Sequence, residues 1–345
     1  MARSDRFLCA LRGEPVDTTP IWIMRQAGRY LPEYQATRKQ AGSFLNLCKT
    51  PELACEVTLQ PVDRLGVDAA ILFSDILIPI EAMGVPLTFT DEGPRLEPVR
   101  DAAAIAKLHV VNTDSELSFV GDAVRLIRRA LDGKVPLIGF SGAPFTLLTY
   151  AVEGQTSKQF IETRKLLFSA PQLAHTLLRK LTDTVIDYLG AQIRAGAQVV
   201  QLFDSWIGQL GVEDFRAFAL PYVQEITERL KPLGAPLIYF ANDAGALLAD
   251  AAQSGATALG VDWRVGLDQV RRIVGARLPL QGNLDPGVLL GPVGFIERRA
   301  ADVLKRVRGT PHIFNLGHGI FPSIDPARVE ALVEIVHRLG ASTKQ

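Results

Sequence analysis

The sequence predicts an α/β protein, a single (β/α)8 barrel over residues 1–345 with a small hairpin inserted after the second strand. Three observations predict it. Eight short runs rich in Val, Ile, Leu or Phe are mostly apolar on both faces, as strands buried on both sides must be. Helical patterns lie between them, and strand–helix alternation of this kind builds a parallel sheet. Each run closes on polar residues, which places one shared mouth at the strand C-termini, where barrel active sites lie.

The first run, 21–25, follows Pro20, and its apolar residues Ile21 to Met24 lead straight into Arg25. The second, 69–74, ends in Asp75. Residues 84–98 then leave the alternation: two β-prone runs flank Asp91, Glu92, Gly93 and Pro94, a turn signal that reads as a hairpin. The third run, 135–141, closes in Ser141, and the fourth, 198–204, in Asp204 and Ser205. Asn242 and Asp243 follow 236–241, Asp262 closes 257–262, Asn283 and Asp285 follow 278–283, and His318 follows 312–317. Helices are expected at 51–65, 118–131, 157–168, 172–196, 213–231, 245–254, 267–275, 292–307 and 326–339. In the longest, Leu173, Leu177, Leu181, Val185, Leu189 and Ile193 recur at four-residue spacing and form one apolar face. Thr50-Pro51, Ala170-Pro171 and Asp325-Pro326 supply caps or first-turn prolines. No Pro/Gly/Ser-rich linker divides the chain, which favours one domain.

The bulk composition narrows the class. Lys plus Arg equals Asp plus Glu, 37 each, so no net field steers a polyanion and anion recognition must be local. Without a basic run or an aromatic-interleaved basic patch, nucleic acid is not an expected partner. The longest apolar stretches are broken by Ser74, Asp75 and Pro79, short of a membrane span, and Asp5 interrupts the N-terminus before any signal-like run. Three cysteines, Cys9, Cys48 and Cys55, suit a reducing cytoplasm and give no disulfide framework. No paired-His or His-x-Cys spacing supports a zinc site, and no GxGxxG turn or P-loop supports a dinucleotide or ATP. Gly317 and Gly319 leave a weak trace of a barrel phosphate site.

The stretch PIWIMRQAGRYLPEY, residues 20–34, carries the strongest site signal. Arg25 and Arg29 emerge at the end of a buried run, with Gly28 between them to free the backbone and clear space. A guanidinium fork matches carboxylate or phosphate geometry, and charge abutting a buried strand is costly unless something uses it. The alternative is a solvated basic loop. Asp75 ends AAILFSD, where partial desolvation demands donors; the alternative is a structural ion pair. Tyr150 lies in an apolar helical stretch after a Gly/Ser/Pro turn, in GFSGAPFTLLTYAVEG, and a core tyrosine with a satisfied hydroxyl is the commoner case. Ser205 reads as a ligand donor or a helix N-cap. Of the histidines 109, 175, 312, 318 and 337, only His318, between two glycines, is placed at the mouth.

These segments resemble the uroporphyrinogen decarboxylase family. PIWIMRQAGRYLPEY and GFSGAPFTLLTYAVEG are similar to its two signatures, and FSDIL at 73–77, FDSW at 203–206 and NLGHGI at 315–320 match further motifs in family order. The likeness runs from about Ser4 to Leu339; Ile207 departs from it, standing where a smaller residue is expected. The resemblance implies a (β/α)8 barrel that removes the four acetate carboxylates of uroporphyrinogen III, giving coproporphyrinogen III, without cofactor. It implies a substrate site of Arg25, Gln26, Ala27, Gly28, Arg29, Asp75, Tyr150, Ser205 and His318, with Asp75 and Arg25 catalytic, in a cytoplasmic homodimer. Losing carbon dioxide from an acetate needs an electron sink, and a pyrrole protonated at a ring carbon supplies it. Asp75 would then accept hydrogen bonds from pyrrole N–H groups and stabilise the cationic ring. A guanidinium is a poor acid at neutral pH, so Arg25 would donate a proton only in a perturbed site or through water. A cobalamin-linked barrel methyltransferase, which needs a His/Cys zinc cluster, and a non-catalytic tetrapyrrole carrier are the rival readings.

Overall fold

The computed structural model of the protein describes residues 1–90 and 92–341. Its strands are β1 (Ala70–Ile71), β2 (Leu87–Thr90), β3 (Gly93–Leu96), β4 (Leu137–Gly142), β5 (Val199–Asp204), β6 (Leu237–Ala241), β7 (Ala258–Val261), β8 (Leu280–Leu284) and β9 (His312–Leu316). β1 and β4 to β9 form a parallel sheet in the order β1-β4-β5-β6-β7-β8-β9. The strands are buried, and helices such as Pro51–Leu65, Ser118–Leu131, Pro171–Ala195 and Pro326–Leu339 connect them.

The expected first strand is reduced to a single bridge. Ile21 pairs in parallel with Phe314 of β9, Phe314 N–H donates to Pro20 O at 2.8 Å, and Asp68 N–H donates to Ile21 O at 2.7 Å. The segment thereby closes the barrel between β9 and β1. It stops being a strand because side chains take its next donors: Ile23 N–H donates to Gln26 Oε1 at 3.1 Å and Met24 N–H to Asn315 Oδ1 at 2.9 Å. Backbone N–H groups already satisfied by side chains cannot also enter a ladder.

The hairpin after the second strand is present, with Leu87 opposite Leu96 and Thr90 opposite Gly93. Its turn is displaced from the expectation, since Gly93 and Pro94 belong to β3; Asp91 lies outside the described residues. Below the hairpin, Leu96 N–H donates to Gly154 O and Val99 N–H to Ala151 O, both at 2.8 Å, bracing the helix Pro144–Glu153 that carries Tyr150. The helix expected over 213–231 is broken into Val212–Phe218 and Leu220–Leu230, because Pro221 lacks an N–H and crowds the preceding turn. The 245–254 helix shrinks to a 3₁₀ turn and Leu248–Ala251.

Inside the barrel, Trp22 Nε1 donates to Gln281 Oε1 at 2.9 Å, and Gln281 Nε2 to Gln201 Oε1 at 3.0 Å. All three are buried, and the chain of bonds ties the Ile21 segment to β8 and β5.

Candidate active site

The turn after Met24 is built to push Arg25 outward. Gln26 N–H donates back to Ile23 O at 2.8 Å, and Arg25 takes a left-handed backbone, φ 65°. That conformation costs a non-glycine residue of order 1–3 kcal/mol and persists only where its surroundings enforce it. Gln26 does the enforcing. Fully buried, it accepts from Ile23 N–H, donates from Nε2 to Ala69 O at 3.1 Å, and its carbonyl accepts from Tyr30 Oη at 2.8 Å. On the other side Ile320 N–H donates to Met24 O at 3.0 Å. Gly28 passes so close to Arg25 O that a Cβ would stand 2.9 Å from it. Among the described residues the N–H groups of Ala27 and Gly28 make no hydrogen bond. Arg25 and Arg29 are both exposed.

His318 sits between two close approaches. A Cβ on Gly317 would lie 2.3 Å from Trp263 N, and one on Gly319 would lie 2.4 Å from Arg25 Cδ. The glycines therefore admit Trp263 and Arg25 to either side of the imidazole, which also meets Phe240 and Trp263 edge-on at 6.3 Å each. Burial, helped by the Arg25 and Arg264 charges and opposed by Asp262, lowers His318 to about 4, so it is neutral at pH 7.

Asp75 is in no ion pair within 4 Å among the described residues. Its Oδ1 accepts from Leu77 N–H at 2.9 Å. Burial pushes the carboxyl up to about 6, against the Leu77 N–H and the Arg25 charge. At neutral pH this is a desolvated, mostly ionised carboxylate with one oxygen uncommitted among the described residues.

Tyr150 and Ser205 meet through Trp206, whose ring centre is 6.1 Å from that of Tyr150 and 5.1 Å from that of Phe160. Burial raises the Tyr150 phenol; the Asp75 charge adds to this, while Trp206 and Arg25 oppose it. Ser205 O accepts from Asn242 Nδ2 at 2.9 Å, leaving its hydroxyl uncommitted among the described residues. Behind both lies Asp204, fully buried, accepting from Thr146 Oγ1 at 2.7 Å and Tyr239 Oη at 2.8 Å. Thr146 Oγ1 in turn accepts from Trp206 N–H at 3.2 Å. Burial pushes Asp204 up to about 6, opposed by these hydroxyls.

Other strand-end polar groups hold loops. Ser141 Oγ donates to Gly142 O at 3.0 Å, Asp285 Oδ1 accepts from Gly287 N–H at 2.8 Å, and Asn283 Nδ2 donates to Asp262 O at 2.8 Å. Sequence reasoning missed a basic hollow of about 600 Å³ beside the turn, lined by Arg29, Tyr34, Gln35, Arg38, Lys39 and Pro322. Arg38 and Lys39 lie on the helix Pro32–Ala41, whose polar surface hides them among ordinary solvated charges. Their adjacency to Arg29 is a property of the fold.

Comparison with known proteins agrees with this architecture. A family model described as uroporphyrinogen decarboxylase matches residues 2–339. A uroporphyrinogen decarboxylase of Thioalkalivibrio sulfidiphilus is 54% identical over 345 residues, covering 98% of each chain. One from Myxococcus xanthus is 50% identical over 343 residues, covering 99% of this chain and 98% of the relative. Among solved structures, a methyltransferase from Methanosarcina mazei superposes with a TM-score of 0.83 at 22% identity, over 98% of this chain and 99% of its own, a likeness of fold. With a matching family model over nearly all its length and relatives at half identity or better, the chain belongs to the uroporphyrinogen decarboxylase family.

Proposed function

We propose that the mouth of this barrel removes the four acetate carboxylates of uroporphyrinogen III, giving coproporphyrinogen III and carbon dioxide, as a carboxy-lyase of porphyrin and haem biosynthesis. The observation that carries the reading is Asp75: a desolvated carboxylate without a cationic partner within 4 Å among the described residues, with the charge of exposed Arg25 acting on it. A proton added to a pyrrole carbon makes the ring cationic. The bond between the acetate methylene and its carboxylate then breaks, its electron pair moves into the ring, and carbon dioxide leaves. Protonation of the exposed methylene and loss of the ring proton restore the pyrrole with a methyl group. Asp75 accepts from pyrrole N–H groups and stabilises the cation where low polarity makes charge count most.

Arg25 and Arg29 pair with substrate carboxylates, and the Ala27 and Gly28 N–H groups add neutral donors. Gln26 acts by holding the turn, since its side-chain amide, N–H and carbonyl are already bonded. Tyr150, Ser205 and neutral His318 supply further hydrogen bonds.

The reaction as written needs no cofactor. Among the described residues no three His, Cys, Asp or Glu side chains converge as metal ligands, which weighs against a zinc-dependent methyltransferase. We further infer one domain and a homodimer, for which Ile161 and Phe168, exposed on the helix Ile161–Ser169, offer apolar surface. A cytoplasmic location suits the free thiols of Cys9, Cys48 and Cys55, and no helix among the described residues is long and apolar enough to cross a membrane.

Incubation with uroporphyrinogen III, with and without exhaustive chelation, tests the reading. Stepwise appearance of seven- to four-carboxylate products in both samples is expected. Binding without carboxylate loss would leave a carrier, and turnover abolished by chelation would revive metal chemistry.

A further inference from the structure

A third guanidinium stands on the β7 side of the mouth, separated from the Ile21 segment by β8 and β9. Arg264 stacks over Trp263, its guanidinium carbon 4.1 Å from the ring centre. Its backbone N–H donates to Asp262 Oδ1 at 2.8 Å, Nη1 reaches the same oxygen at 3.3 Å, and Nε lies 3.5 Å from Asp243 Oδ1. The two ion-pair contacts are long. Nη2 makes no hydrogen bond among the described residues, and the side chain is 45% exposed. Trp263 in turn faces His318, with ring centres 6.3 Å apart, and its backbone fills the space that Gly317 leaves. His318 is thus flanked by Arg25 against Gly319 and by the Trp263–Arg264 stack against Gly317.

We propose that Arg264 binds a side-chain carboxylate of the tetrapyrrole, on a different part of the rim from Arg25 and Arg29. The proposal rests on the decarboxylase reading above. An octacarboxylate carries charge around its whole circumference, so cations on one arc of the mouth leave carboxylates elsewhere to be desolvated without a partner. A guanidinium already held flat by an indole and braced by two carboxylates loses little freedom when it takes a ligand. The braces also orient it: Asp262 and Asp243 engage Nη1 and Nε, which leaves Nη2 for substrate. Arg264 is accordingly a substrate-binding residue, with no part in bond breaking.

The test compares wild type, Arg264→Gln and Arg264→Lys on uroporphyrinogen III, reading KM, kcat and melting temperature, with fluorescence titration of uroporphyrin III as a non-reacting probe. Arg264→Gln should raise KM and the probe Kd about 10-fold, the scale of one charged hydrogen bond, with kcat and melting temperature close to wild type. Arg264→Lys should recover part of the affinity. Unchanged KM and Kd in Arg264→Gln would overturn the proposal. So would weakened binding that tracks a lowered melting temperature, the mark of a structural brace. A wild type that neither turns over uroporphyrinogen nor binds the probe would instead remove the decarboxylase reading itself.

Discussion

Arg25 and Gly319 make a contact that only glycine permits: a Cβ at position 319 would stand 2.4 Å from Arg25 Cδ and 2.8 Å from its Nε. Arg25 reaches that place on a left-handed backbone, so the turn directs its side chain along the 317–319 loop, where Gly319 leaves room for the stem. Two neighbouring glycines should therefore respond differently to the same substitution.

In Gly319→Ala the new methyl meets a flexible arginine stem, which can swing away at small energetic cost. Melting temperature should change little, while kcat/KM falls by on the order of 10-fold to 100-fold if the Arg25 guanidinium, displaced by an ångström or so, serves the substrate as proposed. In Gly317→Ala the methyl meets backbone, Trp263 N at 2.3 Å and Asp262 C at 2.9 Å, and overpacking should cost about 1–3 kcal/mol of stability. Denaturant titrations and steady-state kinetics on both variants check this; equal stability losses with intact activity in Gly319→Ala would refute it.

Asp75 and Asp204 are both pushed up to about 6 by burial, yet their Asn variants should behave oppositely. Among the described residues Asp75 has one backbone donor, so Asp75→Asn removes a desolvated charge and strands none of them. A raised folded-state carboxyl pKa means that ionisation opposes folding: the wild type is at its best below about pH 4 and loses this contribution as pH rises through about 6. The variant should match wild-type stability near pH 4 and exceed it by up to about 2–3 kcal/mol at pH 7 to 8. Turnover should fall by on the order of 10²–10³, with substrate affinity less affected. Asp204 instead accepts from two hydroxyls, and an amide cannot accept from both through its NH₂. Asp204→Asn should cost about 1–3 kcal/mol even near pH 4, where the wild-type carboxyl is already neutral, because a protonated carboxyl can still accept on both oxygens and an amide nitrogen cannot accept at all. Melting curves at the two pH values distinguish the pair.

The pH profile of kcat/KM should fall on the acid side with an apparent pKa near 6, as Asp75 takes up a proton and can no longer stabilise the cationic ring. The same limb persisting unchanged in Asp204→Asn would assign it to Asp75; its disappearance there would assign it to the buried Asp204 network.

Arg25→Lys and Arg29→Lys keep the charge and lose the fork. Each should weaken substrate binding or turnover by the equivalent of about 1.5–3 kcal/mol while the melting temperature stays normal. Wild-type kinetics in both variants would place the anion site elsewhere.

At the opposite end of the barrel, Asp68 is fully buried and accepts from Ile21 N–H at 2.8 Å and Arg6 Nη1 at 2.7 Å, with His337 Nε2 at 2.7 Å. Asp68→Ala leaves Ile21 N–H and Arg6 without this acceptor, and should cost about 3–5 kcal/mol of stability. Because the cluster lies far along the segment from Arg25, the folded fraction should keep near-normal kcat, measurable by activity corrected for folded protein.

The sequence by itself determined the barrel and the short motifs at its mouth. Strands buried on both faces need continuous apolar runs, and helices packed on them need a four-residue stripe, so both periods are written into the chain. The helices Pro51–Leu65, Ser118–Leu131 and Pro326–Leu339 end where the pattern and its caps end. The expected strand at 21–25 and helix at 213–231 failed because local competition, the Gln26 amide in one case and Pro221 in the other, overrode an apolar pattern that was itself correct. Tertiary structure alone decided which strand-end polar groups face the mouth. Asp75 and Asp204 look alike in sequence, each closing an apolar run, but one keeps an oxygen uncommitted and the other is consumed by Thr146 and Tyr239. The same holds for the glycines around His318, which read as loop flexibility and prove to be slots for Trp263 and Arg25. Periodicity is a local property that a single chain carries openly. The partners that satisfy or spare a buried charge come from residues tens to hundreds of positions away, and only the closed barrel brings them within reach.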